Sequence, residues 1–115
     1  MSEKITFWTA GAAAANHVQY ITADRNWKIT HVSAVASNDS DALLTIGNDA
    51  DADAYLESAV IGDSNVPVEF DRDDFVDDQY PTHEKGDVLV VTLDYDGDGG
   101  TAAEDVCIVI TIDSY

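Results

Sequence analysis

VLVVTLDY at residues 88–95 and VCIVITI at residues 106–112 decide the fold. Both are short, dense in Val, Ile and Thr, and separated by a Gly/Asp run, the composition of β-strands joined by a turn. Working back from them, the same pattern recurs at residues 4–9 (KITFWT), 17–22 (HVQYIT), 27–36 (WKITHVSAVA), 42–46 (ALLTI, ending at Gly47), 55–61 and 66–70 (VPVEF). Only residues 49–58 could carry a turn of helix, and their apolar spacing does not follow a period of 3.6. About eight short strands with no intervening helices predict an all-β chain, a single antiparallel β-sandwich, jelly-roll-like in its winding. Pro67 donates no ladder hydrogen bond, so its strand belongs at an edge or starts beside it.

The chain has 115 residues and a formal charge of −18, from 23 acidic residues against 5 basic ones. Its length fits one domain, expected as a sandwich over residues 18–115 preceded by residues 1–17 as an N-terminal arm or a first strand. Lys4, Arg25, Lys28, Arg72 and Lys85 are too few and too scattered to neutralise a phosphate backbone, so nucleic acid is excluded as a partner. An anionic membrane surface would repel the chain, and no apolar run approaches the ~20 residues that span a bilayer. The opening Met1-Ser2-Glu3-Lys4 does not have the layout of a secretory signal. Small domains usually carry a net charge of magnitude ~2–8. The excess here fits a saline setting that screens repulsion, divalent cations that neutralise it, or a basic partner, with the saline account preferred.

Asp94-Tyr95-Asp96-Gly97-Asp98-Gly99 matches the first half of the calcium loop D-x-[DN]-x-[DN]-G, with Asp105 at the twelfth position where Glu is usual. Carboxylates at alternate positions converge on a hard cation when glycine permits the sharp turn. Asp94, Asp96, Asp98 and Asp105 are therefore the candidate metal ligands, and calcium the one candidate ion, with no cofactor required. The competing reading is a plain hairpin connection, since Gly-rich Asp turns need no metal. Asp49, Asp51 and Asp53 share the spacing without the glycine. His17, His31 and His83 lie on three separate segments and make no site. Cys107 has no nearby base and is expected to be a buried small hydrophobe. No nucleophile elbow, phosphate-cradling loop or HExxH appears, so no catalytic residue is assigned and the chain is expected not to be an enzyme. Trp8, Trp27, Tyr20, Tyr55, Tyr80 and Tyr115 could stack on sugars or simply pack, and packing is preferred. With the Asp94 loop they give the alternative function, a calcium-dependent carbohydrate-binding module.

RNWKITHVSA at residues 25–34, LTIG at 44–47, VPVEF at 66–70, KGDVLVV at 85–91, a Gly/Asp hairpin and VCIVITI follow one another in an order that resembles the small jelly-roll proteins that decorate or cement the capsids of tailed bacteriophages. The resemblance covers residues 18–112 and lies in strand order and loop style. It implies a non-enzymatic virion protein on the capsid surface, made in the host cytoplasm. Its partners would be the major capsid protein and further copies of itself, as a homotrimer.

Overall fold

The computed structural model describes residues 2–61 and 64–115, the side chain of Ser2 aside. Met1 of the expected arm, and Gly62 and Asp63 between the expected strands at 55–61 and 66–70, lie outside the described residues. Among the described residues, nine strands form: β1 (Ser2–Trp8), β2 (His17–Thr22), β3 (Trp27–Val35), β4 (Leu43–Asn48), β5 (Leu56–Val60), β6 (Val68–Phe70), β7 (Thr82–His83), β8 (Val88–Asp94) and β9 (Cys107–Ser114). One sheet has the order β1-β9-β3-β6 with β7 also on β3, and the other β2-β8-β4-β5. Every pairing is antiparallel.

The pairs are nested: β1 with β9, β2 with β8, β3 with β6, β4 with β5. That is one long hairpin rolled up, closed into two sheets by β3·β9 and β4·β8. The winding is that of a jelly roll, as the sequence predicts.

Alternation explains the core. Ile108, Ile110 and Ile112 of β9 point inward, as do Leu89, Val91 and Leu93 of β8 and Leu44 and Ile46 of β4, all buried in one cluster. Along β3 the inward set switches from Trp27 and Ile29 to Val32 and Ala34. The switch comes from a bulge: Ile29 pairs with Ile112 and His31 with Thr111, leaving Thr30 as the extra residue.

Three details differ from the sequence reading, and the placement of Pro67 agrees with it. β4 runs on through Gly47 to Asn48, because the backbone of Asp51 and Ala52 folds over the glycine, leaving no room for a side chain there. β7 is a two-residue strand after Pro81 that no alternation announces. The acidic stretch after Phe70 forms two short 3-10 turns, Arg72–Asp74 and Val76–Asp78. Pro67 immediately precedes β6, itself at the margin of its sheet. Residues 2–8, placed with the arm or first strand, pair with β9 along their whole length. Arg25 fastens this join by pairing with Glu3 of β1 and donating to Ser114 Oγ of β9 at 2.7 Å.

Candidate functional site

The Asp94 loop is braced from within. Asp94 Oδ1 accepts from the Gly97 amide at 3.1 Å and Asp96 Oδ1 from the Asp98 amide at 3.0 Å. Asp41 Oδ2 accepts from the Thr101 amide at 2.6 Å, holding the loop against the turn before β4. Gly97 is required: its φ is +64°, and a Cβ there would strike Asp41. Asp94, Asp96 and Asp98 line one open hollow with Tyr95, Gly99, Ala14, Ala15 and Asn16. The charge of Asp96 holds the Tyr95 phenol above its usual range.

Asp105 lies elsewhere. Its Oδ1 accepts from the Gly11 amide at 2.7 Å and its Oδ2 from Ser37 Oγ at 3.0 Å, tying the 9–16 loop to the end of β3. So the structure brings together three of the four candidate ligands, and two of those cap their own turn. Among the described residues, no three His, Cys, Asp or Glu side chains stand as a metal-binding group. Asp53 sits beside Asp51, whose hydrogen bond and charge raise its carboxyl above the ordinary range.

The histidines occupy three settings. His31 is on the outward face of β3, its Nε2 3.4 Å from Glu69 and 4.0 Å from Asp71. His17 stands at the mouth of a cleft described below. His83 is almost wholly buried, a placement the sequence does not signal. Its Nδ1 is 2.9 Å from Tyr55 Oη, and its ring lies 5.3 Å from that of Trp27. His83 Nε2 and Trp27 Nε1 are both buried without a hydrogen bond of good geometry.

Burial pushes the His83 pKa below its usual value, against the pull of Asp87 and Asp49. The folded state therefore favours neutral imidazole. The stability this residue contributes is complete above the unfolded pKa of about 6.5 and is lost as pH falls through the folded one. The stability difference between wild type and His83→Gln is expected to narrow from pH 7.5 to pH 5, read as urea midpoints. A constant difference would mean that His83 does not titrate in this window.

Cys107 is not buried as expected. Alternation sends Val106 and Ile108 inward, so Cys107 faces out between Trp8 and Val35, half-exposed and free. Trp27 is a core residue, whereas Trp8 and Tyr20 are each 68 % exposed, and Tyr80 and Tyr115 are also exposed. These exposed aromatics do not gather at the Asp94 hollow, of which only Tyr95 is a part.

The remaining distinctive surface is mostly uncharged. On the outward face of the β2-β8-β4-β5 sheet, Val18, Tyr20 and Thr22 stand beside Val88, Val90 and Thr92, then Leu43 and Thr45, then Val60, with Asp94 beside Leu43 and Glu57 on β5 as its charged margin. At one side of it, between β1 and β2, a cleft of about 200 Å³ opens. Phe7, Trp8, His17 and Gln19 form its walls, and Val91, Leu93, Val106 and Ile108 lie at its floor.

No protein-family model matches the chain, and no curated protein does. Among solved structures, it is similar to a chain of the cyanophage Pam1 capsid asymmetric unit, with a TM-score of 0.51 at 14% identity over 97% of this chain and 82% of that one. A second match is the pre-peptidase C-terminal domain of collagenase from Bacillus anthracis, with a TM-score of 0.43 at 10% identity over 98% of this chain and 90% of that one. At such identities the likeness to the capsid chain is one of fold: a β-sandwich shared over nearly the whole length.

Proposed function

We propose that the protein is a non-enzymatic structural component of a tailed-phage virion, decorating or cementing the capsid as an oligomer. The observation that carries this reading is the shared fold with a chain of a cyanophage capsid, spanning 97% of the present chain. An outward sheet face on which β2 and residues 88–92 of β8 present only Val, Thr and Tyr, in a molecule of net charge −18, supports it. Such a face suits contact with another protein, where charged residues are depleted at the centre. The partners are then the major capsid protein and further copies of the chain, as a trimer, and its place is the capsid surface after synthesis in the host cytoplasm.

Calcium has no necessary part in this reading, since the Asp94 and Asp96 carboxylates already serve their own loop. The test is co-sedimentation of purified protein with heads of the virus that encodes it. Saturable binding at a fixed ratio to the major capsid protein, unchanged by millimolar EDTA, is the expected result. Protein left in the supernatant at all ratios would overturn the proposal. Binding abolished by EDTA and restored by calcium would return the Asp94 loop to the role of a metal site.

A further inference from the structure

Residues 6–23 run for 18 positions without an Asp, Glu, Lys or Arg, in a chain where such residues make up 24%. The run folds as the end of β1, the 9–16 loop and the whole of β2, and so builds one flank of the sandwich. Both sheets end on this flank, one with β1 and the other with β2. Trp8 and Tyr20 are 68 % exposed here and Val18 43 %. The cleft between the two strands leaves core side chains at its floor instead of covering them.

The opposite edges are protected in the usual ways, by charge and proline. β5 carries Glu57, and β6 carries Glu69 and begins directly after Pro67. β2 has neither, and it pairs with β8 in unbroken register, so no bulge twists it away. Its outer backbone groups and apolar side chains are open together.

We propose that this uncharged flank is the surface through which copies of the chain meet, facing the axis of the oligomer. The charge distribution selects a second copy as the occupant. The flank offers a basic partner no carboxylate, whereas the acidic loops elsewhere offer many. Two molecules of net charge −18 meet with least repulsion where neither presents a charge. Carboxylates stand at its rim: Asp94, Asp96 and Asp98 beside Ala14 and Ala15, Asp105 at Gly11, Glu104 at Ala12, and Glu3 and Asp24, both paired with Arg25. Their mutual repulsion is screened by salt, so this contact tightens as ionic strength rises, opposite to a contact between unlike charges.

The proposal rests on the self-association part of the function proposed above, and light scattering reads it without any capsid, so the two can fail separately. Wild type is expected to form a defined oligomer, with a dissociation constant falling by about tenfold or more from 0.15 to 1 M NaCl as the Debye length shrinks from ~8 to ~3 Å. Tyr20→Glu and Val18→Glu, both at exposed positions, should be monomeric at both salts. Val60→Glu, on the far edge of the same sheet, should associate as wild type does. Circular dichroism checks that each variant is folded, and either flank variant suffices. A wild type that stays monomeric at 1 M NaCl overturns the proposal. So does an oligomer that weakens with salt, survives both flank substitutions, or is lost equally in Val60→Glu.

Discussion

Replacing Ile110 with alanine is expected to lower the unfolding free energy by about 3 kcal/mol, or roughly 10–15 °C in Tm for a domain near this size. Ile110 is fully buried, and β9 lies between β1 and β3 in its sheet. It stands opposite Ile5 on one side and Val32 on the other, so truncation opens a cavity bounded by two further strands. The neighbouring Val109→Ala removes two methyl groups from the outward face, between Thr6 and Ser33, and should cost well under half as much. Urea denaturation of both variants checks the pair. Equal losses would mean that β9 does not alternate as described.

Gly47→Ala should be at least as damaging, although it adds a single methyl group. A Cβ at Gly47 would overlap the Asp51 carbonyl oxygen and come within 2.5 Å of the Ala52 carbonyl carbon. Both are backbone atoms, so no side chain can swing aside. The 49–53 loop would have to lift, and with it the hydrogen bonds from the Asn48 amide to the Asp51 carbonyl and from the Tyr55 amide to the Ile46 carbonyl. The expected loss is ~3 kcal/mol or more, at or above the upper end for overpacking. Gly99→Ala is the control. Nothing lies within 4 Å of its Cβ, so its cost is only the ~1–2 kcal/mol of a left-handed backbone at φ +101°. If Gly47→Ala proves no worse than Gly99→Ala, the loop does not pack on the sheet.

The strands were legible wherever one residue in two is apolar without interruption, as in β8 and β9. The nested winding also followed from strand count and from the absence of helices. Legibility ended at single-residue events. The bulge at Thr30 has no composition of its own, yet it exchanges the inward and outward sets along the rest of β3. β7 is too short to show a period, so His83 gave no sign of joining Tyr55 and Trp27 in the interior.

The Asp94 motif shows a different kind of limit. The spacing that would surround a cation is also the spacing at which Asp side chains cap the amides of their own turn, and Asp94 and Asp96 do so. Asp105 is paired to Gly11, which lies 94 positions away in the sequence. No local pattern carries such a contact. The charge-free flank was fully written in residues 6–23, but it became a surface only when β1 and β2 were seen to end the two sheets side by side.

The join between β1 and β9 has a consequence for how the protein is made. β1 leaves the ribosome long before its ladder partner β9, and β2 waits almost as long for β8. At ~5–20 residues per second, residues 2–8 spend several seconds as an unpaired strand bearing Ile5, Phe7 and Trp8. Before β9 is made, the β3-β6, β3-β7, β4-β5, β2-β8 and β4-β8 pairs can close, but none of them covers β1. Nascent chains of this protein emerging together on one messenger would thus expose the same sticky segment to one another before any of them had folded.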